Sequence, residues 1–195
     1  MTTSPRPRIL AFAGSTRRDS WNQRILEIAA AGATDAGATV TSIQLNDYPL
    51  PLFDQDLEAQ DGHSANSHAL KKLFAEHDAL LLACPEYNSS ITPLLKNVID
   101  WVSRPVADEP RLAAFIGKTA ALISASPGGL GGHRGLVHVR SILSSIGVLV
   151  LPEQVSIPHI HQAFDSDGHM TDSRNRESLR DLGRQLAKAT ARFIA

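Results

Sequence analysis

The apolar run Ala79-Leu80-Leu81-Leu82-Ala83-Cys84 carries no polar alternation, and it stops at Pro85. Six residues are too few to cross a membrane, but they suit a β-strand covered on both faces, which is the situation of an inner strand in a parallel sheet. The chain then runs through polar and small residues to Thr92-Pro93, read as an N-cap followed by proline at the first helical position, where its missing N–H costs nothing. Leu94, Leu95, Val98, Ile99 and Val102 form one apolar stripe of the helix that follows, and Lys96, Asp100 and Arg104 fall on the opposite side at i, i+4 spacing. A buried strand feeding a helix through a short loop is half of a βαβ unit. The segment between them, Pro85 to Ile91, reads as a loop whose composition packing does not explain.

The same alternation recurs along the chain. Arg8 to Ala13 gives a first strand ending at Gly14, and a helix after it places Trp21, Ile25, Ile28, Ala29 and Gly32 on one face. Thr39 to Ile43 is a β-branched second strand, and a helix from about Ser64 to His77 carries Leu70, Leu73, Phe74 and His77. Lys118 to Ser124 makes a fourth strand, followed by a helix bearing Leu136, Val139, Leu143 and Ile146. Val148 to Leu151 with Val155 to Ile157 gives a fifth strand broken at Pro152, and the last helix spans roughly Ser173 to Phe193. Strands alternating with helices imply a parallel sheet with helices on both faces. Between the second strand and the next helix, Asn46 to Asp54 is apolar but holds two prolines, which excludes regular structure. It reads as an interface or as a loop tucked over its own core, and with Trp101 it suggests self-association.

The 195 residues fit one domain. Nineteen basic against twenty acidic residues, with no basic cluster among aromatics, argue against nucleic acid or an anionic membrane as partner. Met1 to Arg8 is polar and leads into only a short strand, so a cytoplasmic protein is expected. The one cysteine, Cys84, has no internal partner and is expected to behave as a small buried hydrophobe. His159 and His161, two apart as strand neighbours would be, and the nearby His169 lack supporting acids and are expected at the surface, with no metal.

Two more loops follow strand ends. Gly14-Ser15-Thr16-Arg17-Arg18-Asp19-Ser20-Trp21-Asn22 is small, hydroxylic and basic, and it opens a helix, an arrangement suited to a phosphate. Ser20 with Gln23 equally makes an N-terminal capping box that needs no ligand, and the residues alone leave both readings open. Ala125-Ser126-Pro127-Gly128-Gly129-Leu130-Gly131-Gly132 is a structural turn or a place where backbone closely approaches a flat ring. Glu86 is the one carboxylate in the loop after the third strand. No convincing acid–base pair accompanies it, so no catalytic residue is predicted.

Pro85-Glu86-Tyr87-Asn88, Ser90, Leu95-Lys96-Asn97 and Asp100-Trp101 resemble, at the same spacings, the NADPH-dependent FMN reductases, flavodoxin-like proteins that include quinone, chromate and azo-dye reductases. Thr92-Pro93 stands where many of these carry Pro-Gly. The family's FMN phosphate loop, Gly-Ser-x-Arg-x-x-Ser-x-Asn, is matched by Gly14, Ser15, Arg17, Ser20 and Asn22. The resemblance implies an α/β three-layer sandwich around a five-stranded parallel sheet of order 2-1-3-4-5, with FMN at the first and third strands. It implies that FMN is held by those five residues, by Pro85, Glu86, Tyr87 and Asn88, and by Ser126, Gly128 and Gly129. It also implies NADPH or NADH as co-substrate, a small electron acceptor (quinone, free flavin, chromate or azo compound), and a homodimer or homotetramer. Two other functions fit such a fold. An electron carrier is typically strongly acidic, which a net charge of −1 is not, and a flavin-free scaffold would not need both loop motifs.

Overall fold

A computed structural model describes residues 6–106 and 109–195. In chain order the elements are β1 (Arg8–Ala13), α1 (Trp21–Asp35), β2 (Thr39–Ser42), α2 (Gln55–Asp61), α3 (Ala65–Ala75), β3 (Ala79–Ala83), β4 (Glu86–Tyr87), β5 (Ser90–Ile91), α4 (Pro93–Ser103), β6 (Thr119–Ala125), α5 (His133–Ser145), β7 (Leu149–Ile157) and α6 (Ser173–Phe193). Five strands form one parallel sheet in the order β2-β1-β3-β6-β7, which is 2-1-3-4-5 counted along the sheet.

The period of two in a strand sends alternate residues to opposite faces, and the continuous apolar runs supply a core on each. Ile9, Ala11, Leu81, Ala83 and Ile123 pack beneath α1 and α6, while Leu10, Phe12, Leu80, Leu82 and Leu122 pack against α3, α4 and α5. Helices α1 and α6 touch through glycine: a Cβ on Gly32 would stand 2.0 Å from the Arg180 carbonyl oxygen, and one on Gly183 would stand 1.9 Å from that of Ala29. Among the described residues no helix is long and apolar enough to cross a membrane.

Three expectations change. The fifth strand is continuous through Pro152 because it lies at the sheet edge, where a missing N–H is tolerated, and because it bulges. While β6 advances from Ala120 to Leu122, β7 advances from Val150 to Gln154, and Arg140 of α5 holds the excess through the Val150 and Pro152 carbonyls and the Gln154 side chain. His159 and His161 are not strand neighbours: they lie past β7, where His159 adopts φ 47 and Ile160–Gln162 forms one 3₁₀ turn. Trp101 is 1% exposed, so it is not offered to another chain as expected. Its indole Nε1 donates to the Pro51 carbonyl at 2.8 Å, and Asn97 accepts from the Phe53 N–H and donates to Pro51, fastening the proline-bearing segment onto α4.

Helix α2, absent from the sequence reading, has no buried residue and so no apolar period. It is set by its ends, with Asp54 accepting from the Asp56 and Leu57 N–H groups and Gly62 at φ 70 closing it. Arg104 does not join Lys96 and Asp100 but donates to Glu58 of α2. Beside that pair sits His63, whose side chain is 8% exposed; Nδ1 meets the Ser67 hydroxyl at 2.8 Å and Nε2 has no hydrogen-bond partner among the described residues. Burial lowers its pKa first, with the charges of His68 and Lys71 adding, against a raising contribution from Pro105 and Glu58. A histidine whose folded pKa lies below its unfolded value of about 6.5 binds more protons unfolded, so it contributes stability above that pH that is lost as pH falls. Thermal unfolding from pH 7.5 down to 5.5 should therefore show a steeper fall in Tm for the wild type than for His63→Phe. Parallel curves would contradict this account.

Candidate active site

Because β1 leads to β2 on one side and β3 leads to β6 on the other, the crevice between the carboxyl ends of β1 and β3 is the topological switch point of the sheet. Three loops meet there, and specific bonds join them. The Gly14 N–H donates to the Ala83 carbonyl at 2.8 Å, and the buried Thr92 hydroxyl donates to the Gly14 carbonyl at 3.0 Å while accepting from the Leu95 N–H. The N-cap of α4 thus also fixes the loop after β1. Asn22, 6% exposed, donates through Nδ2 to the Ala125 carbonyl at 3.1 Å and accepts from its N–H at 3.0 Å, joining α1 to the end of β6.

The loop after β3 is a hairpin. Glu86 and Tyr87 pair with Ile91 and Ser90, and the two residues between them, Asn88 and Ser89, have φ 49 and 67. Positive φ at both central positions is the geometry of a type I′ turn, which matches strand twist but favours Asn-Gly; serine at the second place holds strain of about 1–2 kcal/mol. Neighbours hold it there. The Glu86 carboxylate accepts from Arg134 Nη2 at 2.8 Å, Arg134 Nε at 3.2 Å and the Gly135 N–H at 3.0 Å, and the Ser90 hydroxyl meets His138 Nδ1 at 2.8 Å. Burial pushes the Glu86 carboxyl up, but the Gly135 N–H and the Arg134 guanidinium outweigh it and hold the pKa below its ordinary value. A carboxylate so engaged joins the hairpin to α5 and is poorly placed to act as a base.

A cleft of about 120 Å³ is lined by Ser15, Arg17, Ser20, Asn22, Pro85, Glu86, Tyr87 and Ser126, with Trp21, Ala125 and Pro127 completing it. Those eight are among the twelve residues singled out in the sequence; Gly14, Asn88, Gly128 and Gly129 lie in the same loops but do not line it. Tyr87 is exposed on its rim, and Trp21 stacks on Phe164 with ring centroids 5.6 Å apart, as packing beside the loop. Ser20 caps α1 by accepting from the Gln23 N–H. The capping box and an anion site are compatible, because the cap uses only one donor. The N–H groups of Ser15, Thr16, Arg18, Asp19, Trp21 and Asn22 donate no hydrogen bond among the described residues, and the exposed Arg17 side chain has no hydrogen-bond or ion-pair partner there.

In the loop after β6 the glycines that the backbone demands are Gly131 and Gly132, at φ 60 and 87, where a Cβ would fall 2.7 Å from the Ile157 carbonyl carbon and 2.9 Å from Ser124 Cβ. Gly128 and Gly129 have room for a methyl group, its nearest neighbours being the Ser126 hydroxyl at 3.5 Å and the His159 ring at 3.9 Å. Sequence reasoning also missed Thr92 as the tie between loops and Gly135 as a donor to Glu86. The Arg134 guanidinium is engaged by Glu86. Cys84 is fully buried, and burial pushes its thiol up, so it stays neutral and unreactive.

Residues 7–162 match the model of a family described as NADPH-dependent FMN reductase. The chain belongs to the NADPH-dependent FMN reductase family. It is 34% identical over 187 residues to a probable NADPH:quinone oxidoreductase of Oryza sativa, covering 93% of this chain and 88% of the relative. It is 36% identical to an NAD(P)H-dependent FMN reductase of Pseudomonas aeruginosa, covering 88% and 89%. Among solved structures, FerB of Paracoccus denitrificans, a flavoenzyme NAD(P)H:(acceptor) oxidoreductase, superposes with a TM-score of 0.75 at 27% identity over 96% of this chain and 97% of that one. An archaeal flavodoxin, at 12% identity and TM-score 0.64 over 94% and 98%, shares the fold.

As a member of the FMN reductase family the chain is an oxidoreductase, and its site suits the family's cofactor. Backbone N–H groups left unpaired in the loop that opens α1, beside an unpaired arginine, suit a phosphate dianion.

Proposed function

We propose that this FMN reductase takes electrons from NADPH or NADH and delivers them to a quinone, with the three loops at the switch point as the flavin site. The observation that carries this reading is the set of free donors from Ser15 to Asn22 ending a cleft whose other walls are the Glu86–Tyr87 strand and Ser126. Ser15, Arg17, Ser20 and the N–H groups of α1 would hold the phosphate. The hairpin at Pro85–Asn88 and the segment Ser126–Gly129 would face the ring. Bound FMN supplies the hydride chemistry, so the protein's task is to bind, orient and tune. A quinone is the favoured acceptor because several sequence relatives, from rice, potato and a Burkholderia species, bear that activity in their names.

A cleft of about 120 Å³ encloses less than the ~300–1,000 Å³ usual for a cofactor site. Tyr87, 55% exposed, leaves apolar surface on its rim, and Leu52, 78% exposed, leaves more on the segment fastened to α4. We place a second subunit over this face, in a homodimer or homotetramer, and the protein in the cytoplasm.

Purified protein should show flavin absorbance and oxidise NADPH or NADH in the presence of a quinone. Because both substrates use one flavin in turn, double-reciprocal plots should be parallel. Glu86→Gln should change kcat by less than about tenfold, whereas removing a general base costs ~10²–10⁴-fold. Intersecting plots with a thousandfold loss would place a side chain at the centre of the chemistry, and an absence of nicotinamide oxidation would leave an electron carrier as the better reading.

A further inference from the structure

On the α1/α6 side of the sheet, behind the flavin cleft, lies a larger cleft of 440 Å³ that the reaction above does not use. Its apolar wall comes from Ile28 and Ala31 of α1 and from Phe164 and Met170, which pair across the short bridge that closes the segment after β7. Its basic residues are Arg24, Arg176, Arg180 and His169, the last beside Asp165, against one acid in the lining, Glu27.

These arginines are not equivalent. Arg180 is ion-paired with Asp35, and Arg176 donates to the Met170 carbonyl at 3.4 Å. Arg24 is half-buried, and its guanidinium makes no hydrogen bond or ion pair among the described residues. Its guanidinium carbon lies 4.8 Å from the Trp21 ring centroid and 5.6 Å from that of Phe164, and those two rings stack on each other. Contact with the two rings holds the guanidinium in place and engages none of its N–H groups in a hydrogen bond. A braced arginine with free donors, at the edge of an apolar wall, presents a two-pronged site for a carboxylate or sulfonate with a surface beside it for the remainder of the molecule.

We propose that this cleft is a second small-molecule site, taking an organic monoanion with a flat apolar body: the acid group on Arg24, the body against Phe164, Met170 and Ile28. Glu27 disfavours a polyanion, which the single free fork would not neutralise in any case. Trp21 lines the flavin cleft as well. One aromatic layer therefore separates the two sites.

The test is calorimetric titration of 2-naphthoate, a flat two-ring carboxylate, into FMN-free and FMN-saturated protein. One-to-one binding is expected in both, so the result stands apart from the flavin assignment. R24Q should weaken it about tenfold or more. A31W, which fills the opposite end of the cleft from a half-buried helix position, should do so too, with cooperative thermal unfolding retained in both variants. Wild-type affinity in R24Q or in A31W, displacement of naphthoate by saturating quinone, or no binding at all would overturn the proposal.

Discussion

Arg17→Ala is expected to weaken FMN by about 10–100-fold and to leave riboflavin within about twofold, since charge-assisted hydrogen bonds contribute about 1.5–3 kcal/mol each and only FMN carries the phosphate that receives them. The unfolding temperature should not move, because the Arg17 side chain touches no partner among the described residues. The FMN preference should also shrink at about 0.5 M salt, where an exposed pair is screened. Asn22→Ala supplies the contrast. Both ends of that carboxamide are engaged by Ala125, so its loss should loosen the junction of the first and third loops and weaken both flavins together. Titration of two flavins against three proteins reads all of this, and equal losses of FMN and riboflavin in Arg17→Ala would remove the phosphate from this loop.

The contrast between Arg17 and Asn22 also marks where sequence reading stops. Both belong to one motif, and spacing cannot separate a residue that faces a ligand from one that holds a loop; that requires knowing that Ala125, 103 residues away, lies across from Asn22. Glu86 is similar. It stands out as the one carboxylate of its loop, but its partners Arg134 and Gly135 belong to another helix. Local patterns gave the elements themselves reliably: buried strands are continuous apolar runs, and α6 shows its three- and four-residue steps from Ser173 to Phe193. Where a long-range partner sets the geometry, local reading failed. Pro152 reads locally as a break, but Arg140, from another element, holds the bulge that carries the strand past it, and α2 has capping residues but no apolar period to announce it. The type I′ hairpin at Asn88-Ser89 lacks the Asn-Gly signature because tertiary bonds at Glu86 and Ser90 hold a strained serine in place.

The loop after β6 allows fold and flavin to be separated by adding one methyl group at two places. At Gly132 the backbone is left-handed, at φ 87, and a Cβ would fall 2.9 Å from Ser124 Cβ and 3.1 Å from its hydroxyl. Ser124 cannot retreat: it is fully buried in β6, and its hydroxyl donates to the Gly131 carbonyl at 2.7 Å. Gly132→Ala thus combines the cost of left-handed backbone, about 1–2 kcal/mol, with overpacking of about 1–3 kcal/mol. A loss of about 2–5 kcal/mol in a domain of this size lowers Tm by roughly 10 °C. At Gly129 no such constraint exists, and a methyl meets only the His159 ring at 3.9 Å. Gly129→Ala should leave Tm within about 2 °C. If the segment lies against the flavin ring, however, the same methyl intrudes on the ligand, and overpacking of about 1–3 kcal/mol corresponds to FMN binding weaker by about 5–150-fold. Thermal unfolding of the FMN-free proteins together with FMN titration gives both readings. Gly129→Ala with unchanged FMN affinity would move the ring away from this loop, whereas Gly132→Ala with unchanged Tm would show that the corner yields where its packing says it cannot.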